Sequence, residues 1–442
     1  MKESLTVSTK IQDKTIIIET GKLARQAAGS VTIRMGDTVL LSAVTGTDSP
    51  REGMDYFPLQ VEYREKFYAV GRFPGGFFKR EARPSEKEIL SARMTDRPIR
   101  PLFPEGYKNE VQINNMLLSG DGENDSDMLS ITAASAALTL SEIPFLGPIA
   151  GLRVGRVDGE FVINPTHSQR ENSDLDLVYV STRDLPVMIE GGGKEISEKD
   201  MVEAMKFAHA ECAKLVDAQL ELRRMAGLPD KKIEVEQQDN SIADAIRSEA
   251  DQQFIDALYV SSKRDRVKNT ANLKKNLYEK LLEKFPEMTE EQFTGPFYDV
   301  EREIVRREIL KNGKRVDGRG LDDIRPLSAE LSLLPRAHGS ALFMRGETQA
   351  LGTVTLGTKS DTQSLDAVTG GAEEKKFMLH YNFPPYSVGE VGRLGSTNRR
   401  EIGHGALAER SLEEVMPANF PYTVRVVSDI MGCNGSSSMA SI

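Results

Sequence analysis

The first sixty residues are patterned for β-structure. Short apolar or alternating runs (TIIIE, VTIR, TVLLSAV and FPLQVEY, within residues 5–63) are separated by glycines, which predicts a β-meander. The period then changes. SEKEILSARMTDR (85–97) spaces Ile89, Leu90 and Met94 along one helical face behind Ser85, and residues 127–142 read as an Ala/Leu/Ser helix. Strand patterns return over 149–190 (PIAGLRVGRV, EFVINP, LDLVYVST, PVMIEG), and Lys199 to Arg224 predicts a long amphipathic helix. Residues 240–312 carry no alternation; Ile242, Ala245, Ile246, Phe254 and Leu258 follow the helical period instead, so this stretch is expected to be a helical insert. KNGKRVDGRG (Lys311–Gly320) reads as a Gly-rich charged linker. The layout is an α+β core, a helical domain and a second α+β core.

The second core is expected because the chain repeats itself. Gly29-Ser30 and Gly36-Asp37-Thr38 recur as Gly339-Ser340 and Gly346-Glu347-Thr348, each leading into an apolar run. Val70-Gly71 matches Val388-Gly389, Lys79-Arg80-Glu81 matches Arg399-Arg400-Glu401, and NDSDMLSI (Asn124–Ile131) aligns with GSSSMASI (Gly435–Ile442). In copy one the last segment runs on into an apolar helix and further strands. Copy two stops where that helix should begin, so the chain is expected to be the front part of a longer protein, cut within its second copy.

Composition narrows the class. A chain of 442 residues exceeds one hydrophobic core, and 39% hydrophobic with 28% charged residues is ordinary globular usage. The net charge of −10 confines any nucleic-acid contact to a local patch. Cys212 and Cys433 are too few for a disulfide framework, there is no signal peptide or 18-residue apolar run, and a soluble cytoplasmic protein without membrane contact is expected.

Candidate chemistry is local. No phosphate loop, zinc pair, nucleophile elbow or paired CxxC is present. Ser436, Ser437 and Ser438 are expected at a helix N-terminus, where amides and hydroxyls suit an anion; a plain serine cap is the alternative. Copy one has Asp125 and Asp127 in place of Ser436 and Ser438. Carboxylates repel phosphate, so copy one reads as disabled and copy two as competent. Arg399 and Arg400 could hold phosphate bidentately, and His404 could orient it or a proton; a solvated charge pair and a structural His are the alternatives. Asp174 and Asp176, on one strand face, could meet a divalent ion, but ordinary strand-start acids are favoured.

A second constellation lies between Arg64 and Arg100, where ten Lys/Arg stand against five Asp/Glu. Within it GRFPGGFFKREAR places Phe77 and Phe78 on a Gly/Pro loop beside Lys79, Arg80 and Arg83: stacking faces next to backbone cations, as single-stranded nucleic acid requires. Packing of the two rings into the core is the alternative. Arg93, Arg97 and Arg100 could extend the track.

VGRFPGGFFKREARPSEKEILSARMTDRPIRPLFP, NFPPYSVGEVGRLGSTNRREIGHGALAERSLE and NGSSSMAS resemble the bacterial polynucleotide phosphorylase (polyribonucleotide nucleotidyltransferase) family, with matches in order along the whole chain. The resemblance implies duplicated RNase PH-like cores separated by an all-α domain. A first core (1–230) would be catalytically degenerate and line the RNA channel. Residues 240–312 would be the helical domain, and 315–442 a truncated second core with the phosphate site. It further implies a homotrimer that admits the 3′ end of single-stranded RNA and degrades it with inorganic phosphate to nucleoside diphosphates, reversibly, in mRNA turnover, alongside RNA-degradation complex proteins. Arg399, Arg400, His404 and Ser436–Ser438 fall on the family's phosphate-site motif, and Phe77, Phe78, Lys79 and Arg80 on the loop that narrows the channel. The Mg²⁺ ligands of the family, aspartates and a lysine, are expected beyond Ile442, and no metal ligands are assigned in this chain. Two competing readings are a non-catalytic RNA-binding or assembly module and a hydrolytic nuclease.

Overall fold

Residues 4–54, 56–231, 240–417 and 419–442 are described in the structure, a computed structural model. The expected first-core range therefore includes a few residues, 1–3 and 55, outside the described ones. Strands β1 (Leu5–Ile11), β2 (Lys14–Thr20), β3 (Gly29–Met35) and β4 (Thr38–Gly46) form the meander, and alternate positions such as Ile16, Ile18, Val31 and Ile33 are buried. β5 (Leu59–Glu65) does not continue it. α1 (Glu86–Ile99) returns the chain so that β6 (Val111–Ser119) inserts between β4 and β5, parallel to β5, in the order β1-β2-β3-β4-β6-β5. A parallel pair needs a crossover, and α1 supplies it; the meander expected over 5–63 thus ends at β4.

α2 (Asp127–Leu140) is buried along its whole length, because it packs on β3 and β4 on one side and on β7 (Ala150–Val157) on the other. β7 belongs to a second sheet with β8 (Glu160–Ile163), β9 (Leu175–Ser181) and β10 (Pro186–Gly193), in the order β10-β9-β7-β8. The short helix α3 (His167–Glu171) and the long α4 (Glu198–Met225) complete this region.

Three helices follow: α5 (Ser241–Leu258), α6 (Lys263–Leu281) and α7 (Glu290–Asn312), packed around Phe254, Phe293 and Phe297. α7 stops at Gly313, whose left-handed φ of 63° ends the helix without a Cβ penalty. These helices form one compact unit, and the sheet-bearing parts of the chain form another.

Copy two repeats the plan of copy one. β11 (Leu327–Leu331), β12 (Gly339–Arg345), β13 (Thr348–Gly357), the short pair β14 (Gln363–Ser364) and β15 (Glu374–Lys375), β16 (Phe377–Asn382), α8 (Arg399–Glu413), β17 (Thr423–Gly432) and α9 (Ser437–Ser441) follow in order. The sheet runs β11-β12-β13-β17-β16 with β16 and β17 parallel, as β5 and β6 are. Even the irregularities coincide: a register shift at Val39/Leu40 recurs at Gln349/Ala350. Among the described residues no helix is long and apolar enough to cross a membrane.

Candidate functional site

The crossover helices set the register between the copies. α1 starts with a capping box, Ser85 with Glu88, and α8 starts with another, Asn398 with Glu401. The second oxygen of each glutamate has the same further task. Glu88 accepts from the Glu65 amide at 2.8 Å and Glu401 from the Phe383 amide at 2.7 Å. The two strands before these helices place Tyr63 and Tyr381, whose hydroxyls bond Ser126 at 2.5 Å and Ser437 at 2.7 Å.

These anchors correct one match made on sequence alone. Arg399-Arg400 corresponds to Glu86-Lys87 and not to Lys79-Arg80. The S-x-x-E and N-x-x-E caps carried that signal, but the shared basic-basic-Glu triplet was the more obvious pattern.

In copy one the site is filled with matched charge. The Lys87 ammonium stands 3.0 Å from Glu65 and 3.1 Å from Asp125. Arg170 reaches Asp125 at 3.4 Å and Asp176 at 3.5 Å, and Arg153 pairs with both Asp127 and Asp176. Burial would raise the Asp125 carboxyl, but Lys87, Arg153, Arg170 and His167 outweigh it and hold Asp125 far below the usual carboxylate range. Glu65 goes the other way: burial raises it, and Lys87 only partly compensates. Ser126 is fully buried under this network.

Copy two has the same frame without the acids. Ser436 and Ser438 replace Asp125 and Asp127, and Phe383 replaces Glu65. Arg400 lies 6.0 Å from the Phe383 ring, and no carboxylate pairs with it among the described residues. His404 meets Tyr381 edge-on at 5.2 Å, and its Nδ1 is buried with no hydrogen-bond partner among the described residues. Burial, then the charges of Arg400 and Arg93, lowers the His404 imidazolium below its ordinary range. A buried polar atom without a partner beside an unneutralised guanidinium is the arrangement an incoming anion would complete.

Ser436 is the N-cap of α9 and Ser437 and Ser438 open it, as expected, and Arg400 and His404 carry the case for an anion. Two other expectations about this site change. Ser437 is buried and bonded to Tyr381, which leaves Ser436 and Ser438 as the hydroxyls nearer the surface; Ser436 takes a left-handed φ of 43°, unusual for a residue with a side chain. Arg399 does not pair with Arg400 around one ligand. It donates to the Val61 carbonyl at 2.6 Å and pairs with Glu62, fastening α8 to β5 of copy one.

The aromatic loop is exposed. Phe77 and Phe78 are 93% and 87% accessible and meet edge to face at 5.3 Å, and Lys79, Arg80 and Arg83 are exposed beside them with no ion pair among the described residues. Core packing of these rings is thereby excluded. Phe73, 83% accessible on the same loop, was not singled out from sequence, although the Arg-Phe-Pro context was legible. Arg93 and Arg97 of α1, and Arg100 at its C-terminal cap, all contact the protein itself. Arg93 packs against Gly403, where a Cβ would fall 2.2 Å from its Nε; Arg97 pairs with Glu190; Arg100 grips Asp96 at 2.6 Å and donates to the Phe57 and Leu59 carbonyls at 3.1 Å. Asp174 pairs with Arg156 at 2.7 Å, and Asp176 with Arg153 and Arg170, as strand-start acids in ion pairs. Among the described residues no three His, Cys, Asp or Glu side chains cluster to hold a metal ion, so the residues present do not fit a Mg²⁺ site.

Comparison with known proteins adds names to this frame. Residues 12–144 and 323–442 match the 3′ exoribonuclease family, domain 1; residues 147–211 match domain 2 of that family; residues 241–320 match the RNA-binding domain of polyribonucleotide nucleotidyltransferase. A polyribonucleotide nucleotidyltransferase of Methylacidiphilum infernorum is 50% identical over 438 residues, covering 99% of this chain and 62% of its own length. That of Geobacter sulfurreducens is also 50% identical over 438 residues, covering 99% and 63%. The chain thus spans less than two thirds of these relatives. Rice Rrp46 aligns with 49% of this chain and 94% of its own at 16% identity and a TM-score of 0.39, a likeness too slight to bear on the fold.

Proposed function

Because the chain belongs to the 3′ exoribonuclease family, its domain 1 pattern covering more than half of the residues in two copies, we propose that it works as part of a 3′-to-5′ phosphorolytic exoribonuclease. Inorganic phosphate would attack the terminal phosphodiester of single-stranded RNA, releasing a nucleoside diphosphate and a chain one nucleotide shorter; the reverse reaction would add a nucleotide. Residues 1–230 and 315–442 would be the two RNase PH-like cores and 240–312 the helical domain between them, in a homotrimer acting with RNA-degradation partners in the cytoplasm.

The observation that carries this reading is the unneutralised Arg400. Its counterpart Lys87 is matched by two carboxylates, whereas Arg400 stands over the Phe383 ring within electrostatic reach of His404, whose buried Nδ1 has no partner among the described residues. Arg400, Ser436 and Ser438 would bind and orient the phosphate, and His404 would hold a proton on it through Nδ1. Ser437 would fix the turn through Tyr381, and Arg399 would hold α8 against copy one. Orientation and charge neutralisation then lower the barrier without a covalent intermediate. Mg²⁺ would supply further charge neutralisation in the whole enzyme; no step here is routed through it, because the described residues do not fit it. Phe77 and Phe78 would stack on bases while Lys79, Arg80 and Arg83 follow the backbone. The internal contacts of Arg93, Arg97 and Arg100 suit scaffolding better than RNA contact.

The test is incubation of the protein with 3′-labelled single-stranded RNA and Mg²⁺, with and without phosphate. Nucleoside diphosphate release that requires phosphate, and falls about 10²–10³-fold on Arg400→Ala, is expected. Phosphate-independent release of monophosphates would make it a hydrolase, and RNA retention without release would make it a binding module.

A further inference from the structure

The charged cluster of copy one takes no part in this reaction, yet it is built more closely than a solvated patch. Its members occupy the positions of the phosphate cradle: Lys87 for Arg400, Asp125 for Ser436, Asp127 for Ser438. Three cations, Lys87, Arg153 and Arg170, meet four carboxylates, Glu65, Asp125, Asp127 and Asp176, so a dianion finds no net attraction there.

The cluster is also capped from outside copy one. The connection between β13 and β16 is longer than its counterpart between β4 and β5 and carries Thr369, which is fully buried. The Thr369 hydroxyl accepts from the Lys87 ammonium, and its carbonyl lies 3.0 Å from His167 Nε2. The Ala367 carbonyl accepts from Arg72 at 3.3 Å. Gly370 follows with a left-handed φ of 91°, and a Cβ there would fall 2.3 Å from the Gly122 carbonyl oxygen, so the seat admits only glycine. The corresponding connection of copy one folds back on its own core, through Arg51 and Glu110 at 2.8 Å.

We propose that copy one holds a latent site for inorganic phosphate, closed from within by the carboxylates of Asp125 and Asp127 and capped by Thr369 of copy two. The proposal rests on reading Arg400, Ser436 and Ser438 as a phosphate cradle. With serines at 125 and 127 the balance becomes three cations against two carboxylates: each cation loses one partner, Lys87 keeping Glu65 while Arg153 and Arg170 share Asp176. The Thr369 hydroxyl, already accepting from Lys87, still has its proton to donate to an anion.

Equilibrium dialysis of the whole chain against labelled inorganic phosphate tests it. The wild type is expected to bind one equivalent and Asp125→Ser/Asp127→Ser two, with one equivalent retained when Arg400→Ala is added. No uptake in the wild type but one equivalent in the double variant would remove the copy-two cradle and leave the latent site standing. A folded double variant that binds no more than the wild type overturns the proposal. Should the serine variant unfold, refolding on addition of phosphate supports the site, and Asp125→Asn/Asp127→Asn, which keeps the shapes and drops the charges, must then take up the extra equivalent. Failure of both variants to bind more phosphate than the wild type overturns it.

Discussion

Copy one and copy two place a tyrosine, a buried serine and a capped crossover helix in the same arrangement, yet one seat is packed with ion pairs and the other keeps a guanidinium and an imidazole without acidic partners among the described residues. The frame is what folding requires of both copies. Charge is what distinguishes them, and it does so with few substitutions: acids for serines, and Glu65 where copy two has Phe383. A duplicated fold can therefore turn one of two equivalent seats into part of its own core while the other stays open to a ligand.

The largest test of this contrast is removal of a cation from each seat. Arg153→Met leaves the buried Asp127 without its cation and Asp176 with Arg170 alone, and is expected to cost about 3–5 kcal/mol in urea unfolding. Arg400→Met removes no ion pair among the described residues and should stay within about 0.5 kcal/mol. Equal losses from the two would mean that copy two is as internally neutralised as copy one.

A smaller difference is expected at the tyrosines. Tyr63 bonds both Ser126 and Glu65, the latter at 2.9 Å, so Tyr63→Phe should cost about 1.5–3 kcal/mol, the range for bonds to charged groups. Tyr381→Phe loses one neutral bond and should cost about 1 kcal/mol. The reverse order of midpoints would contradict the assignment of Glu65 to the buried network.

The smallest effect is in pH dependence. The His404 imidazolium is lowered in the folded state, so folding favours its neutral form. Its contribution to stability is complete above the unfolded value, near 6.5, and is lost as pH falls through the folded value. Wild type should therefore lose more stability than His404→Gln as pH falls below about 6.5. Added phosphate should raise the His404 titration in an NMR pH series, by placing negative charge beside the ring. A titration indifferent to phosphate would place the anion elsewhere.

Much of the fold was legible before the structure. Strand alternation, the helical period of 240–312 and the internal repeat are local or linear properties, and they locate β1–β5, β7–β10, α4, α5–α7 and both copies, while β6 was not read as a strand. The insertion of β6 between β4 and β5 was not legible, because strand order depends on where a crossover helix packs and not on the strands' own patterns. The exposed Phe77-Phe78 pair was readable from Pro-Gly-Gly, since a turn of that composition can hardly be buried.

The site divides in the same way. Residue types alone determined that copy one had traded serines for carboxylates beside an otherwise similar segment. Only the tertiary structure decided which cations face them. Arg399, adjacent to Arg400 in sequence, turns away to Glu62, while Lys87, Arg153 and Arg170 arrive from three separate elements to meet Asp125 and its neighbours. Charge pairing acts over a few ångströms of space and is blind to sequence distance. The residues were visible in the chain, and their partners became visible only once it was folded.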